Sequence, residues 1–88
     1  MVPSNYSAQM ALAGVSFAQK DYHKAASQYR RVLTFYPDDV DAMSGAAWSD
    51  FYLGFKREAA DGFRKIMNVN PSYPYAARGL ELTAKAAR

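Results

Sequence analysis

Apolar side chains return every three or four positions through most of the chain, the spacing of one face of an α-helix. Between Tyr22 and Phe35, Ala25, Tyr29, Val32 and Leu33 fall on one face while Lys24, Gln28 and Arg31 fall on the other. That stretch ends at Tyr36-Pro37, because a residue before proline is pushed out of the α region. Asp38 or Asp39 then offers a carboxylate to the free amides of the next helix. Upstream, Met1 to Pro3 read as disordered, Ser4 or Asn5 caps a first helix reaching about Gln19, and Lys20-Asp21 makes a polar turn. Downstream, a third helix from about Asp39 to Leu53 closes at Gly54, which enters the left-handed region without a Cβ penalty. A fourth from about Lys56 to Val69 stops at Asn70-Pro71, after which Ser72 caps and Pro74 occupies the first turn of a fifth. Connections this short force neighbouring helices antiparallel, so five helices stacked in a row are expected.

The pattern also repeats as a whole. Ala25 and Ala59, Ala26 and Ala60, Arg30 and Arg64, and Pro37 and Pro71 each stand 34 positions apart. In the same register Phe63 follows Tyr29, Lys65 follows Arg31, Ile66 follows Val32 and Met67 follows Leu33, while Ala42, Ala47 and Phe51 repeat Ala8, Ala13 and Phe17. A fixed period of this length is the mark of a stacked repeat. On these residues the chain resembles the tetratricopeptide repeat family. The family's second-helix pattern of a small residue, an aromatic four later and a closing proline is met by Ala25, Tyr29 and Pro37, and again by Ala59, Phe63 and Pro71. The first-helix pattern fits at Leu12, Ala13 and Ala47 and departs at Gln9, Ser16 and Asp50.

The resemblance implies an all-α fold of antiparallel helix-turn-helix repeats stacked as a short right-handed α-solenoid of five helices. It makes one domain of residues 1–88, with a repeat over 6–39, a second over 40–73 and a capping helix over 74–88. On that last helix Arg78, Glu81, Lys85 and Arg88 form a charged stripe, and Ala77, Leu80 and Ala84 the stripe expected to cover helix four. Ala13 against Ala25, and Ala47 against Ala59, allow close crossings within each hairpin. Tyr29 and Phe63 are the expected wedges between hairpins.

Composition narrows the function classes. Half of the 88 residues are hydrophobic, enough for one small and thin core. There is no cysteine, hence no disulfide, thiolate nucleophile or zinc-cysteine site. No apolar run approaches the roughly 18 residues of a membrane span, and the N-terminus lacks a secretory leader's pattern. The ends at Met1-Val2-Pro3 and Arg88 read as the edges of a piece cut from a longer chain, and cytoplasm is favoured over periplasm as its compartment, without either being fixed. The net charge of +3 raises a nucleic-acid reading. Its carriers Arg30, Arg31, Arg64 and Lys65 fall on the second helices, the family's convex side, without a stacking aromatic beside them; a solvated face explains them better, and no nucleic-acid partner is expected.

Catalysis needs tuned groups within hydrogen-bond reach of one another, and no such constellation stands out. His23 is the only histidine and has no second ligand at metal spacing; Asp38, Asp39 and Asp41 complement a helix start; Gly14, Gly45, Gly54, Gly62 and Gly79 are scattered and match no phosphate loop. The expectation is therefore a non-enzyme with no catalytic residues, cofactor or metal. The resemblance implies instead a concave groove, built from the first helix of each unit, that binds a peptide or partner helix. By the family's register its residues include Met10, Gly14, Phe17, Ser44, Trp48, Phe51, Tyr52, Tyr75, Arg78, Leu82 and Lys85. Trp48, Phe51 and Tyr52 make an aromatic strip of the residue types enriched at binding hot spots, and Gly14 leaves room for a shallow pocket beside Trp48. Phe17 and Phe51 also suit simple packing between first helices. The family's carboxylate clamp is missing, since Met10, Gly14, Gly45, Tyr75 and Gly79 offer neither cation nor amide, so an apolar or aromatic protein ligand is expected. The alternative is a structural segment that self-associates through the uncovered apolar surface of Met10, Leu12 and Val15.

Overall fold

The computed structural model describes residues 6–86. Five helices follow one another: α1 (Tyr6–Ala18), α2 (Tyr22–Phe35), α3 (Val40–Leu53), α4 (Lys56–Val69) and α5 (Ala76–Ala86), with no strand among the described residues. The sequence reading of Met1 to Asn5, including the Ser4 or Asn5 cap, and of Arg88 lies outside the described residues.

Local chemistry sets the boundaries. Asp39 caps α3 by accepting the Ala42 N–H at 3.1 Å, and Asp21 caps α2 by accepting the Lys24 N–H at 3.3 Å. The two hairpin turns share one geometry. Lys20 N–H donates to the Phe17 carbonyl and Asp21 N–H to the Ser16 carbonyl, each at 2.9 Å; Gly54 N–H donates to Phe51 at 3.1 Å and Phe55 N–H to Asp50 at 2.9 Å. These crossed bonds use carbonyls the helix end would leave free, and they place Lys20 (φ 64°) and Gly54 (φ 88°) in the left-handed region.

The start of α5 differs from expectation. Asn70 Oδ1 accepts both the Ser72 N–H at 3.2 Å and the Ser72 hydroxyl at 3.0 Å, so Ser72 completes a turn with Asn70 instead of capping a helix. Tyr75 then takes a left-handed φ of 69°, and the helix begins only at Ala76, which leaves Pro74 outside its first turn.

Each helix packs on the next. One buried cluster joins Ala13, Ala25, Tyr29, Val32, Ala42 and Ala46, and a second joins Met43, Ala47, Ala59, Phe63, Ile66 and Ala76. Each cluster therefore combines a hairpin with the first helix that follows it. The Ala13, Ala25 and Ala59 side chains are fully buried and Ala47 nearly so, as close crossings require. Tyr29 lies beneath Gly45 so tightly that a Cβ there would stand 2.3 Å from the ring, and Phe63 lies beneath Gly79 with the corresponding distance 2.4 Å. These glycines are not scattered: Gly45 and Gly79 are one period apart, and each admits the wedge ring of the preceding helix.

The buried stripe of α5 follows from the same register. Ala76, Gly79 and Thr83 are buried in place of Ala42, Gly45 and Ser49, whereas Ala77 and Ala84, expected to cover α4, are exposed and Leu80 is half-buried. The buried hydroxyls of Ser49 and Thr83 donate to carbonyls of their own helix, Gly45 and Leu80, both at 2.8 Å. In overall shape the stack is elongated, 43 × 27 × 18 Å. Backbones of α1 and α3, and of α3 and α5, approach one another directly, while α2 and α4 do not. The odd-numbered helices thus crowd together on one side and the even-numbered pair spreads on the other.

Candidate functional site

The odd-helix side carries most of the residues singled out from sequence. Met10 and Phe17 are half-buried against the first core cluster, and Trp48 and Phe51 against the second. Trp48 sets its ring edge-on to the fully buried Phe63 at 4.9 Å, edge-on to Phe51 at 5.6 Å, and tilted to Tyr52 at 6.3 Å. Tyr52 meets Phe51 at 5.3 Å and Phe17 at 5.9 Å, which carries the run from α3 onto α1. It also stacks on Tyr22 at 4.9 Å with planes 20° apart, and Tyr22 in turn meets Phe17 at 5.3 Å. Tyr22 is missing from the sequence reading because it belongs to a second helix. The two-residue turn at Lys20-Asp21 is the signal that could have found it, since so tight a connection brings the start of α2 back beside Phe17.

This run of rings is open at Tyr52, which is 53% exposed, and anchored at Phe63. Trp48 therefore serves the core as well as the surface. At Gly14 a built Cβ would meet only the Tyr29 hydroxyl, at 3.9 Å.

The α5 end of the surface is looser. Tyr75 is 72% exposed but precedes the helix, and among the described residues no other ring lies against it. Arg78 pairs with Glu81 on its own helix at 3.4 Å, Leu82 is half-buried and Lys85 is exposed. Ser44 lies beside Tyr73, whose hydroxyl donates to Asp41. Burial first, and then the bond to Asp41, push the Tyr73 phenol up to about 12, with Ser44 pulling the other way. At the opposite end the Tyr6 hydroxyl donates to Asp39, and that bond pushes the Tyr6 phenol up to about 12. The structure thus gathers Phe17, Trp48, Phe51 and Tyr52 into one surface with Tyr22.

The even-helix side corrects one expectation. Arg30 is not simply part of a solvated basic face: its guanidinium pairs with Asp50 of α3, whose side chain is 3% exposed. Burial raises the Asp50 carboxyl above its ordinary range, and Arg30 offsets part of that rise. Arg64 pairs with Asp61 at 2.9 Å, and Arg31 and Lys65 are exposed. His23, read from sequence as isolated, lies with Arg30, Asp50, Phe55 and Glu58 around a hollow of about 600 Å³. Among the described residues no three side chains that could hold a metal come together, and no helix is long and apolar enough to cross a membrane.

Compared with known proteins, the chain matches no family model and no curated sequence.

Proposed function

We propose that the chain is a non-catalytic protein-interaction module of tetratricopeptide type, which binds a peptide or helix of apolar or aromatic character across its odd-helix face and so scaffolds an assembly. The observation that carries this reading is the continuous run of rings from Phe17 through Tyr52 to Trp48, packed on the buried Phe63 at the Trp48 end and more than half exposed at Tyr52. Rigid aromatics supply contact area at small entropic cost, which is why they dominate hot spots. So short a face holds few anchors, and affinity for a single segment should be on the order of micromolar.

Fluorescence titration with a co-purified partner tests the reading, because Trp48 is the only tryptophan and reports from the proposed surface. Its emission should shift on binding, and Trp48→Ala should cost about 2 kcal/mol of affinity. Tyr52→Ala should weaken the complex as well. Trp48 also packs on Phe63, and Tyr52 on Tyr22, so circular dichroism of both variants should show that the helices persist before weakened binding is read as a lost contact. Binding that survives both changes but is abolished by Arg31→Ala and Lys65→Ala would move the site to the even-helix side.

A second reading, self-association, is favoured by one observation. Leu12 and Val15 are 57% and 54% exposed on α1, at the register positions of Ala46 and Ser49, which are buried on α3, Ala46 in the cluster that includes α2. Sedimentation over a concentration range divides the two readings, and a dimer that Leu12→Glu turns into a monomer supports the second.

A further inference from the structure

The groove between α4 and α5 is the counterpart, one period on, of the seam between α2 and α3, and the two differ in charge. In the first seam the buried Asp50 is held by Arg30, and Glu58 of the next helix, α4, borders the same hollow. In the second seam Arg64 stands at the register of Arg30, but Ala84 stands at that of Asp50, so α5 brings no carboxylate to the guanidinium. Arg64 turns instead to Asp61, three residues back on its own helix, with both side chains about 60% exposed. Lys56 and Arg57 replace Tyr22 and His23, adding two cations. The result is a hollow of about 550 Å³ with Ala60, Leu80 and Ala84 as an apolar floor and Lys56, Arg57 and Arg64 along its rim.

We infer that this groove docks a short acidic amphipathic helix of a partner protein, on a surface distinct from the odd-helix face. Two observations set the occupant's chemistry. In the first seam a carboxylate carried on the next helix, Glu58 of α4, borders the hollow that Arg30 also lines, so a helix-borne carboxylate already meets this geometry inside the chain itself. The rim of the second seam is cationic over an apolar floor, which matches a helix whose apolar stripe, at i, i+3 and i+4, is flanked by carboxylates. Exchanging Asp61 for a partner's carboxylate costs Arg64 little, because an exposed pair on one helix contributes little.

The test uses the whole chain and a fluorescein-labelled synthetic peptide about four helical turns long, with Leu and Ala on one face and Glu on its flanks, read by anisotropy. A scrambled peptide of the same composition and a single-stranded oligonucleotide are the comparisons. The amphipathic peptide should bind in the micromolar range, and Arg64→Glu should weaken it about tenfold or more. Ala84→Asp should weaken it similarly by giving Arg64 the internal partner that Arg30 has. Arg31→Glu, an equal change of net charge on another exposed surface, should have a several-fold smaller effect. Both groove substitutions are at exposed positions, and circular dichroism of the variants checks that the helices persist. The proposal is overturned if the scrambled peptide or the oligonucleotide binds as tightly, if Arg31→Glu weakens binding as much as Arg64→Glu, or if Ala84→Asp changes nothing. None of these outcomes bears on Tyr52, so the odd-helix reading stands or falls separately.

Discussion

The α2–α3 and α4–α5 seams have the same shape and different electrostatics. In both, an aromatic wedge slides beneath a glycine of the next first helix, Tyr29 under Gly45 and Phe63 under Gly79, and a buried hydroxyl at Ser49 or Thr83 closes on its own helix. Only the first buries a carboxylate, Asp50, against an arginine from the neighbouring helix; the second has Ala84 there and an exposed Arg64–Asp61 pair. The stacking geometry is therefore carried by the fit of rings and small residues, and the charge pair is an addition that one seam has and the other lacks. A buried pair is costly to break and weak evidence of net stabilisation, whereas the ring-under-glycine fit leaves no room for adjustment.

The largest expected effect tests that difference directly. Arg30→Met leaves Asp50 buried and uncompensated and should destabilise by about 3 kcal/mol near neutral pH, read from urea unfolding. Arg64→Met should stay within about 0.5 kcal/mol. Asp50→Ala, which gives the first seam the composition of the second, should cost less than Arg30→Met, because Arg30 is half exposed and returns to water. The pH dependence has a definite sign. Burial holds the Asp50 carboxyl above its ordinary value, so the fold favours its neutral form; that contribution is present in full below the unfolded-state value and is lost as pH rises through the folded one. The deficit of Arg30→Met should accordingly shrink as pH is lowered toward about 4. A deficit that does not shrink on acidification would show that Arg30 stabilises the seam by something other than the charge of Asp50.

The steric half of the comparison comes next in size. Gly45→Ala and Gly79→Ala place a Cβ 2.3 and 2.4 Å from the wedge rings, so a ring must move. Overpacking of this kind costs about 1–3 kcal/mol, from which about 1 is recovered because alanine favours helix more than glycine does. Gly79→Ala should be the worse of the two, since Phe63 is fully buried while Tyr29 keeps 9% of its surface exposed. Gly14→Ala is the control: its Cβ meets only the Tyr29 hydroxyl at an ordinary 3.9 Å, and it should stabilise by about 0.5–1 kcal/mol. Equal effects at all three glycines would show that the rings adapt and do not dictate the fit.

What the sequence reveals and what it hides divide along the same line. The 34-residue register is a local pattern read twice, and it located α2 and α4, the crossing alanines and the wedges Tyr29 and Phe63. Asp50 looked like a departure from the repeat because a carboxylate's burial depends on a partner supplied by another helix. Gly45 and Gly79 carried the period openly, yet their meaning appears only when a ring lies beneath them. The late start of α5 turns on Tyr75 adopting a left-handed conformation, which residue type alone does not announce. On the candidate surface the strip of Phe17, Trp48, Phe51 and Tyr52 was legible, and Tyr22 was not, because helical spacing places it on the other element of the hairpin.

The hairpin turns make a smaller contrast within the same register. Lys20 and Gly54 occupy one left-handed position in two copies of the same turn, and Asp21 and Phe55 the position after it. The first turn has a side-chain cap and a strained lysine; the second has an unstrained glycine and no side-chain cap. Lys20→Gly should stabilise by about 1 kcal/mol and Gly54→Lys should cost about as much, measured by thermal unfolding. A loss on Lys20→Gly would show that the Lys20 side chain makes a contribution beyond the turn.

The smallest effects concern two tyrosines that tie outlying segments to the start of α3, and they differ in cause. Tyr6 donates to Asp39 and Tyr73 to Asp41, and both phenols are pushed up to about 12, Tyr6 mainly by its hydrogen bond and Tyr73 mainly by burial. A raised phenol contributes stability that is present below its unfolded value near 10 and is lost as pH rises toward 12. Tyr6→Phe and Tyr73→Phe should each cost about 1 kcal/mol at neutral pH, and less at strongly alkaline pH, where the wild-type bonds are already weakened. Removing the acids separates the causes. Asp39→Ser keeps an α3 cap but removes the carboxylate, and should return Tyr6 toward the ordinary tyrosine range in a spectrophotometric titration. Asp41→Asn should leave Tyr73 titrating late, because the burial that raises it remains. If instead Asp41→Asn normalises Tyr73 while Asp39→Ser leaves Tyr6 unmoved, the assignment of hydrogen bonding to one end of α3 and burial to the other is reversed.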